Sequence, residues 1–214
     1  MENSSHFQIN DYLKPGRHAH LVGIGGVSMR PLGLVLRSMG MQISGSDMNA
    51  SVSTDELMAK GIAVSIGHRA ENIEGADCVI RTAAANNDNP EIAAARAAGI
   101  PIFERAQAWG YIMKAYRHAI CVSGTHGKTT TTSMLTQIFM EAGKDPTVMI
   151  GGSLPLLGAG HRVGQGDTII LESCEYCNSF LNFFSTTAVV LDIDADHLDF
   201  FKDLEDVKHS FRRF

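Results

Sequence analysis

The sequence predicts an α/β fold built on parallel, doubly wound sheets. Three observations predict it. Short apolar runs alternate with longer segments of helical periodicity along the whole chain. Glycine is frequent, at 21 residues against 6 prolines, which suits many tight strand-to-helix turns. Two glycine loops, at Gly23–Ser28 and Gly124–Thr129, each follow an apolar run and open a helix.

Ala19–Ile24 reads as a buried strand, and Ser28–Met39 as a helix with Met29, Leu32, Leu36 and Met39 on one face. Met41–Ser44 reads as a strand, Thr54–Lys60 as a helix and Ala76–Ile80 as a strand. Pro90–Ala98 is an alanine-rich helix with proline near its start. Pro101–Phe103 is a short strand and Ala106–Ala115 a helix. This β-then-α rhythm implies a parallel sheet. A boundary is expected near Tyr116–Arg117, giving domains over 1–115 and 116–214. The second begins with strand His118–Ser123 and helix Lys128–Ala142. Strands at Thr147–Ile150, Thr168–Glu172 and Ala188–Asp192 follow, then a helix over Leu204–Phe214. The glycine-rich stretch Gly151–Gly166 reads as a loop.

The apolar fraction of 44% supports a packed core, and the net charge of −5 argues against a nucleic-acid partner. The opening MENSSHFQIN has no signal-peptide pattern, and no apolar run approaches bilayer length. A cytoplasmic protein without a membrane partner is expected. Of the four cysteines, Cys78 and Cys121 lie in apolar strands, while Cys174 and Cys177 form a C-x-x-C. With no second ligand pair and no thioredoxin-like context, these are expected to be reduced thiols without a metal or redox role.

The first loop, Gly23-Ile24-Gly25-Gly26-Val27-Ser28, has the backbone freedom to approach a phosphate at a helix N-terminus. Asp47 stands where dinucleotide folds keep a ribose-binding acid, although Ser28 replaces the third glycine of that fingerprint. A bare turn, a dinucleotide and another nucleotide diphosphate all fit. In the second loop, Gly124-Thr125-His126-Gly127-Lys128-Thr129, backbone N–H groups can wrap anionic oxygens. Lys128 can reach terminal phosphates, and the Thr129 hydroxyl can ligate Mg²⁺. This is a short variant of the phosphate loop, because Val122 stands where the longer form has glycine. Glu172 and the run Asp194-Ala195-Asp196-His197-Leu198-Asp199 each follow an apolar strand. In a parallel sheet both emerge beside the loop, as ligands for a divalent cation or as a solvated acidic turn.

GTHGKTTT, LESCEYCNSF and DIDADHLDFF, in that order, resemble the Mur ligase family. The opening HLVGIGGVSMRPLG, SGSD at Ser44–Asp47 and TAAANNDNPEI at Thr82–Ile92 look most similar to the member that joins L-alanine to UDP-N-acetylmuramate. The resemblance implies a Rossmann-like doubly wound domain for the UDP-sugar, then a P-loop ATPase α/β domain that is truncated here. A third domain is missing from this chain, so the chain alone is expected to form no amide.

The resemblance further implies ATP and Mg²⁺. Gly124, Thr125, His126, Gly127, Lys128, Thr129 and Thr130 would hold ATP. Thr129 would bind one magnesium, and Glu172 and His197 a second. Lys128, Glu172 and His197 would be the catalytic set. Gly23, Gly25, Gly26, Val27, Ser28, Asp47, Thr82, Ala83 and Ala84 would form the UDP-sugar pocket. The implied reaction is attack of the sugar's carboxylate on the γ-phosphate, then attack of the L-alanine amine on the acyl phosphate. A murein tripeptide recycling ligase and a non-catalytic nucleotide-binding fragment remain the competing readings.

Overall fold

A computed structural model describes residues 7–214, so the expectation for the polar start falls largely outside the described residues. The chain divides into two compact units, one ending at Ala108 and the other running Trp109–Phe214. The division falls inside one helix.

In the first unit, strand β1 (His18–Val22) leads through a glycine loop to helix α1 (Met29–Ser38). Then come β2 (Gln42–Asp47), α2 (Val52–Ala59), β3 (Ala63–Ile66) and β4 (Cys78–Arg81). Helix α3 (Pro90–Ala97), β5 (Ile102–Glu104) and α4 (Arg105–Met113) follow. The sheet is wholly parallel with order β3-β2-β1-β4-β5. Central β1 is covered on both faces, so Ala19, Leu21 and Val22 are fully buried. Helix α1 buries Met29, Leu32 and Leu36 of the expected stripe and Val35 beside them, while Met39 at its C-cap is half-buried. Ser51 and Thr54 form a capping box at α2, and Asn89 caps α3 ahead of Pro90. Strand β3 was not expected: it is four residues on a sheet edge, neither buried nor clearly alternating.

The second unit holds β6 (His118–Ser123), α5 (Lys128–Glu141), β7 (Thr147–Leu154), β8 (Ala159–Arg162) and β9 (Thr168–Glu172). A 3-10 segment (Tyr176–Asn182), β10 (Thr187–Val190) and α6 (Leu204–Arg213) complete it. Its sheet order is β10-β6-β9-β7-β8. The sheet is mixed rather than wholly parallel, because β8 returns antiparallel to β7. Gly151–Gly166 is therefore not a loop. Its glycines serve close packing: a Cβ on Gly160 would lie 2.2 Å from the Gly152 carbonyl oxygen. Helix α5 buries Thr132 and Thr136, whose hydroxyls donate to the Lys128 and Thr132 carbonyls, each at 2.8 Å. A satellite core of Phe180, Phe201, Val207 and Phe211 ties the 3-10 segment to α6. No helix among the described residues is long and apolar enough to cross a membrane.

Candidate functional site

In the second unit the loop after β6 meets the carboxyl ends of β9 and β10, the strands on either side of β6. Gly124 and Gly127 have φ of +137° and +79°, and Gly127 supplies the N-cap position of α5. Those left-handed angles turn the chain sharply enough to aim the loop amides at one space. Part of that space is held by the protein itself. The His126 N–H donates to Asp192 Oδ1 at 2.9 Å, and the Thr125 N–H to the Asp192 carbonyl at 3.0 Å. The Thr125 hydroxyl accepts from the Asp194 N–H at 2.8 Å. A carboxylate on a loop amide marks a backbone concavity that attracts anions.

Lys128 folds over the loop. Its Nζ donates to the Gly124 carbonyl at 2.5 Å, the Thr125 carbonyl at 3.2 Å and Glu175 Oε2 at 3.3 Å. Glu175 is buried, and Lys128 is its charged partner. One residue on, the Thr129 hydroxyl donates to Glu172 Oε1 at 3.0 Å, while the Gly151 N–H donates to Glu172 Oε2 at 2.6 Å. Thr130 is exposed on the first helical turn. The paired hydroxyl and carboxylate oxygens of Thr129 and Glu172 are the hard donors that Mg²⁺ prefers, so these residues fit that ion.

His197 follows β10 and packs on an aromatic ring. It has φ +51°, and its ring lies 4.7 Å from the ring of Tyr176, whose hydroxyl donates to Asp199 Oδ2 at 2.8 Å. Asp199 beside that hydroxyl pushes the Tyr176 pKa up to about 12. Among the described residues, no three His, Cys, Asp or Glu side chains gather where one metal ion could be held. Glu175, Tyr176 and Asp192 escaped sequence reasoning, since their partners lie on other strands. Their sequence signals are a place just beyond the strand ends that frame the loop and membership of the segments LESCEYCNSF and DIDADHLDFF.

In the first unit the sheet order reverses beside β1, the place where open α/β sheets bind ligands. The Gly23 loop follows β1, and Thr82, Ala83 and Ala84 follow the neighbouring β4. Gly23 has φ +80°, and a Cβ there would lie 2.8 Å from Thr82 Cγ2. The Gly25 N–H donates to Asp47 Oδ2 at 2.9 Å. Gly23, Gly25, Asp47 and Thr82 are thus brought together. The Gly26 N–H donates back to the Gly23 carbonyl at 3.1 Å. Val27 is exposed, and Ser28 is the N-cap of α1 without a side-chain capping bond. Ala83 and Ala84 are exposed and offer only backbone groups.

Behind this loop lies a buried polar network that the sequence did not announce. The Gly23 and Ile24 N–H groups donate to the Ser46 carbonyl at 2.8 and 2.9 Å. The Ser46 hydroxyl donates to Glu91 Oε2 at 2.6 Å, and His68 Nδ1 lies 3.3 Å from the same oxygen. Glu91 is fully buried. Burial pushes its carboxyl up, but hydrogen bonds with His20, Ser46 and Asn72 outweigh it and hold the pKa at about 2. Burial, helped by the Asp77 charge, pushes the Cys78 thiol up to about 12, and burial pushes the Cys121 thiol up to about 11 against a hydrogen bond with Ser173.

Comparison with known proteins agrees with this geometry. Residues 18–117 match the Mur ligase family, catalytic domain, and residues 122–214 match the Mur ligase middle domain. The UDP-N-acetylmuramate–L-alanine ligase of Clostridium botulinum is 48% identical over 205 residues, covering 95% of this chain and 45% of the relative. The chain therefore spans less than half the length of such relatives. The crystal structure of UDP-N-acetylmuramate-alanine ligase from Thermotoga maritima superposes with TM-score 0.84 at 31% identity, covering 92% of this chain and 46% of that one. UDP-N-acetylmuramate:L-alanyl-γ-D-glutamyl-meso-diaminopimelate ligase from Neisseria meningitides gives TM-score 0.82 at 26% identity, covering 92% of this chain and 67% of that one. With family matches over residues 18–117 and 122–214, the chain belongs to the Mur ligase family.

Proposed function

We propose that this chain is the nucleotide-handling part of a UDP-N-acetylmuramate–L-alanine ligase. The observation that carries the reading is the convergence of Lys128, Thr129 and Glu172 on the anion-seeking loop after β6. In this reading Gly124–Thr130 cradle the ATP phosphates, and Thr129 with Glu172 holds Mg²⁺. The ion supplies positive charge against the oxygens of the transferred phosphoryl group. Lys128 supplies a second cation on the same group, and its fixed position means little reorganisation as charge develops. The carboxylate of UDP-N-acetylmuramate takes the γ-phosphoryl group, and the L-alanine amine then displaces phosphate to leave an amide. Glu172 and His197 would hold a second cation beside the sugar carboxylate, with the His197 ring packed on Tyr176. The loop Gly23–Ser28, with Asp47 and Thr82–Ala84, binds the UDP-sugar without reacting. The alanine-adding assignment over murein recycling is supported by 48% identity to a curated alanine-adding relative and, among the solved structures, by 31% identity to the alanine-adding ligase against 26% to the recycling ligase.

Calorimetry with UDP-N-acetylmuramate, ATP–Mg²⁺ and NAD tests the reading. The sugar nucleotide and ATP–Mg²⁺ are expected to bind, ATP more weakly when Mg²⁺ is chelated. NAD binding tighter than UDP-N-acetylmuramate overturns the assignment of the first loop.

A further inference from the structure

Cys174 and Cys177 bracket the two residues that hold the loop chemistry in place. Glu175 is the buried partner of Lys128, with its carboxylate oxygens 3.3 and 3.4 Å from Nζ. Tyr176 bonds Asp199 through its hydroxyl and packs its ring on His197. The Cys177 thiol is a further hydrogen-bonding neighbour of Tyr176.

The backbone between the cysteines is already a tight turn. Glu175 is right-handed helical, with φ −71° and ψ −22°. Tyr176 begins the 3-10 segment, in which only Cys177 and Asn178 leave helical angles. Two consecutive right-handed residues bring the flanking Cα atoms within about 7 Å. A disulfide bridges Cα separations of about 4.4–6.8 Å. Cys177 and Asn178 carry φ of +55° and +54°, angles that non-glycine residues hold only under constraint. The turn therefore has a competing arrangement within reach.

Access separates this pair from the other thiols. Cys177 is exposed and Cys174 partly so, whereas Cys78 and Cys121 are fully buried. An oxidant in solution meets Cys177 first.

We propose that Cys174 and Cys177 form a reversible disulfide that makes the Lys128 loop redox-responsive. A small-molecule disulfide such as oxidised glutathione is the oxidant. The Cys177 thiolate attacks one of its sulfurs, the glutathione S–S bond breaks, and one glutathione leaves as a thiol. Cys174 then attacks the Cys177 sulfur of the mixed disulfide and expels the second glutathione. The two cysteines lose two electrons and two protons; the oxidant becomes two thiols. Closing the ring draws the Cys177 sulfur away from Tyr176 and locks Glu175 inside a four-residue loop. The bond therefore acts on the Lys128–Glu175 and Tyr176–Asp199 contacts made by the two residues between the sulfurs. The effect on nucleotide rests on Lys128 being an ATP contact, as proposed above.

The test uses the 214-residue chain, oxidised glutathione and dithiothreitol. No lysine or arginine lies between Arg162 and Lys202, so trypsin leaves both cysteines in one peptide, Val163–Lys202. After glutathione disulfide treatment that peptide is expected to be lighter by two hydrogens, and dithiothreitol restores it. In Cys174→Ser the same treatment leaves glutathione on Cys177. A stable glutathione adduct in the unsubstituted chain, with no internal disulfide, overturns the proposal. ATP–Mg²⁺ affinity, measured by calorimetry on both forms, is expected to fall about tenfold on oxidation, the loss of one charge-assisted contact. Equal affinity in a fully disulfide-bonded sample overturns the coupling to Lys128. Failure of the reduced chain to bind ATP instead defeats the ATP assignment, while the peptide mass still decides the disulfide.

Discussion

The two units present the same backbone device with different equipment. Each places a glycine loop after an interior strand and lets a carboxylate at or just beyond the end of the adjacent strand sit on a loop amide. Asp47 does so for Gly25 and Asp192 for His126, both at 2.9 Å. The second loop adds an ammonium, a hydroxyl and a second carboxylate from Lys128, Thr129 and Glu172. The first adds Thr82 and exposed alanine backbone, and behind it the neutral hydroxyl and buried acid of Ser46 and Glu91. Backbone amides alone can hold an anion. Stabilising charge that moves between oxygens needs cations aimed at it. On the proposed reading, the first loop binds and the second carries the chemistry.

Removing Lys128 should have the largest effect. In a full-length version, Lys128→Ala should lower ATP-dependent phosphate release about a hundredfold or more, as loss of a cation at a transferring phosphoryl group does. It should also destabilise the second unit, because Glu175 is left buried without its partner. Adding Glu175→Gln should recover the melting temperature but not the phosphate release. Recovery of both would break the assignment of Lys128 to phosphate.

The first unit should respond to pH through Glu91. Its folded pKa of about 2 lies below the ordinary 4.5, so its contribution is present above pH 4.5. That contribution, about 3 kcal/mol at most, is lost as pH falls from about 4.5 towards about 2. Denaturant unfolding across that window measures it. Glu91→Gln should flatten the profile, and an unchanged slope would show that Glu91 is not the source.

Much of this was legible in the chain, for reasons particular residues make plain. The strand His118–Ser123 and the Lys128 helix followed from periodicity and a glycine loop, both local signals. Asp47 could be placed from its spacing after Gly25. Gly151–Gly166 misled because glycine has two uses. It frees a loop, and it also lets strands or side chains approach, as Gly160 does for Gly152 and Gly151 for Glu172. Glu91 was hidden for another reason. An acid in the first turn of a helix ordinarily caps that helix in solvent, and only the tertiary fold shows it buried against Ser46 and His68.

A smaller change tests the first loop's geometry. Gly23→Ala meets both a φ of +80° and Thr82 Cγ2 at 2.8 Å. It should cost about 1–3 kcal/mol of stability in the first unit and weaken UDP-N-acetylmuramate binding. Gly26→Ala, with no left-handed angle and its nearest atom at 3.3 Å, should cost less. Equal melting temperatures for the two variants would remove the case for a strained turn at Gly23.

The finest distinction between the loops lies in the two aspartates, and they should respond with opposite signs. Asp192 competes with an incoming phosphate for the His126 N–H. Asp192→Asn keeps an oxygen for that amide but removes a negative charge from the phosphate site. ATP affinity should then rise about threefold at low salt, and the gain should shrink as ionic strength increases. Asp47 stands at the end of β2, where an acid accepts hydrogen bonds from sugar hydroxyls. Asp47→Asn replaces a charged acceptor by a weaker neutral one, so UDP-N-acetylmuramate affinity should fall by a similar factor. Calorimetry of both variants, each at two salt concentrations, measures the pair of signs. If both substitutions strengthened binding, Asp47 would be a plug like Asp192, and the two loops would differ only in the cation that one of them carries.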